Sequence, residues 1–316
     1  MINDIFSVTF ITGLIAATLR MSTPIILATL GEIITERSGV LNLGIEGTML
    51  FGAVIGFLTT LSTGNLWLGV FTAALAGMLL AALMSVLAVY LGLSQHVSGL
   101  GITLFASGLS MFIYRLVVGS PTIPPTVTPF TPVELPLLSK IPFFGQAFFS
   151  QYAITYFTWI LIPLVSVFLF RTRWGLRVRT VGQNPFAADT VGINVNLTRT
   201  ICVITGGALF GVAGAFLTLA QQNMFLLDVI GGRGWIAIAM TIFGNWNPFS
   251  AALGGLIFGF LDALQLRLQS MGVSLPFHIF LMIPYLVTIF ALISVSGKAA
   301  VPAGLLKPYR REDKGG

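Results

Sequence analysis

Charge is what this chain lacks. Only 8% of its 316 residues are Asp, Glu, Lys or Arg, against roughly 25% in a soluble domain. So few charges cannot cover a water-soluble globule of this size, which excludes the ordinary soluble-enzyme classes. Cysteine is nearly absent: Cys202 stands alone, which excludes a disulfide framework and a Cys-based metal cluster. The two histidines, His96 and His278, are isolated from any carboxylate pattern and read as structural rather than metal-binding or proton-relaying, so no metal site is expected. A phosphate-binding loop is missing too. Gly297-Lys298 has Leu292 where the first glycine should stand and Ala299 where Ser or Thr should follow. Any nucleotide hydrolysis must come from another polypeptide.

What is present is apolar. The hydrophobic set makes up 56% of the chain, mean hydropathy is +0.95, and there are 35 Gly, 15 Pro and 26 Phe, a composition that fits membrane helices. The net charge of +6 would invite a nucleic-acid partner in a soluble protein, but here position matters more than sum, and no nucleic acid is expected. Arg171, Arg173, Arg177, Arg179 and Arg199 bracket one polar stretch; Lys298, Lys307, Arg310, Arg311 and Lys314 occupy the tail. Excess Lys and Arg marks the cytoplasmic side, so both segments are expected inside.

Apolar runs near 5–20, 21–36, 44–62, 66–93, 97–119, 149–170, 199–220, 230–243, 249–268 and 276–296 predict an all-α, polytopic integral membrane protein. It would have about ten transmembrane helices, with a range of about 8 to 11, and 21–36 and 230–243 are short enough to be broken or tilted. The Pro-rich stretch 119–149 carries only Glu134 and Lys140 and reads as an external loop. Counting spans from it places both the N- and C-termini in the cytoplasm. No cleavable signal peptide is expected, since Met1 to Ser7 holds no basic residue. No polar stretch is long enough for a separate soluble domain, so 1–316 reads as one membrane domain. Gly52 with Gly56, Gly207 with Gly211 and Gly255 with Gly259 are spaced to let helix backbones approach.

Three polar segments could carry function. In Gly31 to Gly47, Glu32 and Glu36 share a helix face, where like charges repel unless Arg37 or another cation intervenes. Glu46 would open the next span, where the helix dipole favours a negative side chain. The segment is either a charged cytoplasmic turn or a place where Asn42 and Glu46 line a translocation route, since ionisable groups near membrane depth are usually functional. In the second segment, within 171–198, Asn184-Pro185 is a good helix start and Gly192 a good stop. It predicts a short helix on the cytoplasmic face. In the third, Gln221, Gln222, Asn223 and Asp228 lie between two spans, with Arg233 opening the next; Asp262, Gln265 and Gln269 form one polar stripe. Solute contact, helix capping and interfacial solvation all suit these groups.

Glu36 to Gly47, Trp174-Gly175-Leu176-Arg177 through Gly192, and Gly232-Arg233-Gly234-Trp235-Ile236-Ala237-Ile238-Ala239 with Phe243-Gly244-Asn245-Trp246-Asn247-Pro248 together resemble one family. It is the permease subunit of bacterial ABC importers of the nucleoside and simple-sugar type, related to the ribose and branched-chain amino acid permeases. The likeness covers nearly the whole chain. It implies a multi-pass permease of the bacterial cytoplasmic (inner) membrane that moves a nucleoside, or a simple sugar such as ribose, by alternating access. The chain itself would be no enzyme and would bind no cofactor; ATP and magnesium would sit in a partner ATP-binding subunit. The other implied partners are a second permease subunit of a different chain, an extracytoplasmic substrate-binding lipoprotein and membrane lipid. The substrate path would draw on Asn42, Glu46, Asn223, Asp228, Arg233, Trp235, Asn245 and Asn247. The cytoplasmic segment would be a coupling helix built on Gly182, Asn184, Pro185, Phe186, Ala187, Ala188, Asp189 and Gly192. ABC permeases carry Glu-Ala-Ala-x-x-x-Gly there; this chain has Phe186 in the Glu position, which removes a salt bridge from that point and keeps the small residues. The competing class is a stand-alone secondary transporter coupled to protons or sodium through Glu46 or Asp228, which would need no Arg-rich coupling segment.

Overall fold

The computed structural model describes residues 8–134, 136, 139, 141, 144–270, 282, 286, 289, 290, 293 and 300–310. Helix α1 runs Val8–Arg37. It is one helix where the apolar pattern suggested two spans, 5–20 and 21–36. The apparent break was Arg20, but this cation is held within the protein. Its Nε donates to Gln151 Oε1 and its Nη2 to the Ser150 carbonyl, both at 3.0 Å, and the guanidinium lies 5.0 Å from the Tyr152 ring. Pro24 lies inside the same helix and cannot donate to the carbonyl four residues back, that of Arg20. The Gln221 side-chain amide supplies the missing donor at 2.9 Å. Val8 and Arg37 therefore stand at opposite ends of one helix, where two spans would have returned them to one face; Met1 to Ser7 lie outside the described residues.

Helix α2 is Ile45–Thr63. Helix α3, Leu66–Ser85, is capped by Asn65 and runs on through a π-helical turn, Val86–Tyr90. Helix α4 is Gln95–Val118. A short ladder follows, in which β1 (Val133–Glu134) pairs antiparallel with β2 (Ser150–Gln151) around helix α5 (Phe144–Phe148). Next come α6 (Ala153–Arg171), α7 (Arg173–Gln183), α8 (Pro185–Thr190) and α9 (Val195–Phe216), which ends in a second π-helical turn, Leu217–Gln221. Helices α10 (Arg233–Phe243) and α11 (Pro248–Ser270) complete the described helices. Among the described residues, seven helices are long and apolar enough to cross a membrane, and α10 is a shorter apolar helix of 11 residues. The expected span 276–296 falls largely outside the described residues.

Small residues set the helix spacing. Helix α9 is the centre, packed on α1, α2 and α3. A Cβ on Gly52 would meet the backbone of Gly211, one on Gly207 would meet Gly77 and Ala81, and one on Gly214 would meet the Met49 carbonyl. Gly255 and Gly259 of α11 lie against Ile26 and Ser22 of α1. Without a hydrophobic force between helices in lipid, such close backbone approach is what drives association. Helix α4 is peripheral: Leu104 is 76% exposed and Leu116 72%.

Overpacking a close-packed seam costs about 1–3 kcal/mol or more. Gly211→Leu should therefore lower the melting temperature and detergent-solubilised yield of the purified permease, while the same change at Gly108, where a Cβ meets nothing within 4 Å, should leave both near wild type.

Candidate functional site: a polar layer, a helix mouth and an Arg-rich plate

Between α1 and α2 the backbone leaves the helix at Ser38 and re-enters it at Ile45. Glu32 and Glu36 are fully buried beside this turn. Glu32 Oε1 accepts the Asn42 N–H at 2.9 Å, Asn42 Oδ1 accepts the Gly44 N–H at 2.9 Å, and Gln95 Oε1 of α4 accepts the Leu41 N–H at 2.8 Å. Glu36 Oε2 accepts the Trp246 indole N–H at 2.6 Å. Arg37 pairs with neither carboxylate among the described residues. It donates instead to the Trp246 carbonyl from Nε and Nη2 at 3.2 and 3.1 Å. The turn it grips is tight: Asn245 and Trp246 both have left-handed φ, 51° and 55°. Asn245 Oδ1 accepts the Ala300 N–H at 2.8 Å, and Asn247 Oδ1 caps α11 through the Phe249 N–H at 3.0 Å.

Helix α10 starts in an apolar setting, where its first N–H groups need acceptors. Glu46, in the first turn of α2, supplies them. Its Oε1 accepts the Gly232 N–H at 2.8 Å and its Oε2 accepts the Gly234 N–H at 2.7 Å. A Cβ on Gly234 would sit 2.7 Å from Glu46 atoms, and Gly232 has φ 79°, so both positions need glycine. The carboxylate also meets the positive end of the α10 dipole. Arg233 donates to the Ile230 carbonyl at 3.0 Å and pairs with Asp262 of α11 at 3.3 Å. Trp235 is 40% exposed on the outer side of α10.

At the far end of the molecule Asn223 adopts φ 59°, and its carbonyl accepts the Val127 N–H at 2.9 Å. The Pro-rich segment thus closes over the end of α9. Asp228 is exposed.

The Arg-rich segment forms a plate at the Arg37 end. Thr172 caps α7 and Asn184 caps α8, the latter accepting the Ala187 N–H at 3.0 Å; Gly192 at φ 82° follows α8. Gly182 lies against the Arg37 carbonyl. Residues 300–310 strap the plate to the membrane helices. Gly304 donates to the Gly182 carbonyl at 2.8 Å, and Tyr309 packs edge-on against Phe186, centroids 5.3 Å apart. Ala188 is buried in this contact with Val181, Val195 and Tyr309. Arg199, buried at 1% exposure, holds the strap: its guanidinium donates to the carbonyls of Ser38, Lys307 and Gly304 at 3.2, 3.1 and 3.4 Å. Ala187, Thr190, Val191 and Gly192 stay exposed, and Asp189 is half-buried.

Of the eight substrate-path candidates, the structure joins Asn42 and Asn245 through the Glu32, Glu36 and Trp246 layer, sets Asn247 beside them, and joins Glu46 to Arg233. It keeps Asn223 and Asp228 apart. Five of them, Asn42, Glu46, Asn245, Asn247 and Arg233, hold backbone or ion-pair contacts. The central residues that sequence reasoning passed over are Trp246, Arg199 and Tyr309. Arg199 read only as one more cytoplasmic cation; its signal was its place within a turn of an apolar helix.

Family comparison agrees with this architecture. The family described as branched-chain amino acid transport system / permease component matches residues 14–292. The chain belongs to this permease family. It is 40% identical to the putative glucose ABC transporter permease protein TsgC13 of Haloferax volcanii, over 96% of this chain and 99% of that one. It is 36% identical to the guanosine ABC transporter permease protein NupQ of Bacillus subtilis, over 94% and 96%. It is 37% identical to the nucleoside ABC transporter permease protein NupC of Lactococcus lactis, over 92% and 94%. No solved structure matches it. The chain is therefore a multi-pass membrane permease component of an ABC importer, and the ion-coupled secondary transporter is not favoured.

Hydrogen bonds to a charged acceptor are worth about 1.5–3 kcal/mol each. Glu46→Ala should lower the melting temperature of the purified permease markedly by orphaning the Gly232 and Gly234 amides. Glu46→Gln, which keeps one acceptor, should lose less.

Proposed function

We propose that this permease carries a nucleoside into the cytoplasm by alternating access, driven by ATP hydrolysis in a separate subunit. The observation that carries the energy-coupling part is α8. It is a short capped helix on a strapped plate, with the small or apolar edge of Ala187, Val191 and Gly192 exposed. That edge suits insertion of a helix into a groove of an ATP-binding subunit, where ATP and magnesium would reside. The 36% and 37% identity to permeases named for guanosine and nucleosides supports the solute. A simple sugar is the second reading, favoured by the 40% identity to a glucose permease. A second permease, a different chain, would complete the pathway, and an extracytoplasmic lipoprotein would deliver solute.

The orientation follows from charge. Arg171, Arg173 and Arg177 are exposed at the same end as the 300–310 strap, and that excess supports a cytoplasmic plate and tail. The Pro-rich 119–149 segment is then external. With α1 a single helix, Val8 also lies toward the outside, which reverses the placement expected for the N-terminus.

The choice of variant matters for the test. Ala188 is buried within the chain itself, so a large residue there would unseat Tyr309 before reaching any partner. Ala187→Arg and Val191→Arg should instead abolish co-purification of the ATP-binding subunit and reduce uptake by tenfold or more, with permease yield unchanged. Wild-type uptake by both would overturn the docking assignment. Uptake of labelled guanosine and adenosine set against labelled ribose and glucose, in vesicles of the complete importer, decides the solute.

A further inference from the structure

Among the cavities at the surface of the described residues, three differ in what their polar groups are doing. One, of about 490 Å³ near Leu19 and Trp159, is walled by phenylalanines, and its Gln151 and Tyr156 are tied into hydrogen bonds within the chain. A second, of about 430 Å³ between α3 and α4, is almost wholly apolar and suits an acyl chain. The third is smaller, about 280 Å³, and lies at the outer end of α4 under the start of the Pro-rich segment. Tyr114, Arg115, Phe225 and Leu227 line it, together with Pro121 and Pro124.

The aromatic wall of this third cavity is pre-organised. Tyr114 and Phe225 have ring centroids 4.9 Å apart, and Phe57 backs both at 6.4 and 6.5 Å. Phe57 and Phe225 are buried, so they hold the Tyr114 ring from within the protein. The polar groups at the mouth are unclaimed. Neither the Tyr114 hydroxyl nor the exposed Arg115 guanidinium has a hydrogen-bond partner among the described residues. Arg115 is also the only basic residue at the outer end of α4, on the face that the charge bias leaves poor in cations. An interfacial belt suits a tyrosine at this depth, and the C-terminal end of α4 suits a cation in its last turn; together they leave an aromatic face and a guanidinium side by side at one cavity mouth.

We propose that this mouth is an outer solute site, in which the planar base of a nucleoside stacks on Tyr114 while Arg115 donates to an acceptor on the base edge, a ring nitrogen or a carbonyl. This rests on the nucleoside reading above. The volume lies just under the roughly 300–1,000 Å³ of drug-sized pockets, enough for a base with the ribose left at the opening. Stacking on a ring is tolerant of base identity because every base has a π-face, which suits a permease that accepts more than one nucleoside.

Site-directed labelling tests the site, because the single native cysteine, Cys202, is buried. Leu227→Cys, in vesicles of the complete importer, is probed with a membrane-impermeant maleimide, and Leu226→Cys, which lines the same cavity, serves if the first variant fails to assemble. Labelling from outside is expected, slowed about tenfold or more by saturating guanosine or adenosine and little changed by ribose or glucose. Adding Tyr114→Ala should raise the half-protecting concentration about tenfold or more, and Tyr114→Phe should restore it to within about threefold. Unprotected labelling in vesicles that do take up nucleosides, equal protection by ribose or glucose, or no labelling from outside would overturn the site and leave the transport reading standing. Vesicles that take up sugar and no nucleoside would overturn the solute assignment, and the base site with it.

Discussion

The constraint on which this structure turns is the need to satisfy backbone groups where helices stop inside an apolar body. Lipid offers neither donors nor acceptors, so each interruption must be met by the protein itself. Helix α10 begins at such a point, and the Glu46 carboxylate meets the Gly232 and Gly234 amides. Pro24 creates another by removing a donor from α1, and Gln221 returns it. The turn between α1 and α2 is a third, met by Glu32, Asn42 and Gln95. Few charged residues remain in the interior once these duties are assigned, and the low charge of the whole chain is the visible result.

Further contacts of this kind join the Arg-rich plate to the helix bundle. Arg199 binds the Ser38 carbonyl at the α1 turn and two carbonyls of the 300–310 strap. The strap in turn binds Gly182 of α7, and Asn245 of the α10–α11 turn through Ala300. Asn245 and Trp246 are gripped by Arg37, and Trp246 by Glu36. The α7–α8 plate is thereby linked to the α1–α2 turn and to the end of α10 by side-chain hydrogen bonds of Arg199, Arg37, Asn245 and Trp246 and by one backbone bond, Gly304 to Gly182. The strap, α7 and the two turns therefore form one contiguous hydrogen-bonded network.

Sequence reasoning reached the membrane class, the short capped helix in the Arg-rich segment with Asn184 before it and Gly192 after it, and the glycine seams, because each has a local signal: hydropathy, turn chemistry or spacing. It divided α1 in two because an arginine at position 20 looks like a boundary when its partners, Gln151 and Ser150, lie 130 residues away. It counted Asn42 and Glu46 among groups that might face a solute, because an ionisable residue in an apolar run carries no mark of whether its partner is a ligand or a backbone amide. Ala188 looked like a docking residue for the same reason: the Tyr309 ring that buries it comes from the tail. In each case the deciding partner is distant in sequence.

This difference bears on where selectivity can lie. Both oxygens of the Glu46 carboxylate hold a backbone amide, so turning it wholly toward a solute would uncap α10 at a cost of about 1.5–3 kcal/mol for each charged hydrogen bond lost, while the second lone pair of each oxygen stays open to a hydroxyl donor. Asn42, Asn245 and Asn247 are committed in the same way to the turns they close. In the structure these polar residues fix the α1–α2 turn, the start of α10 and the α10–α11 turn. Tyr114, Arg115 and Asp228 carry no such duty among the described residues, which supports the outer solute site proposed above.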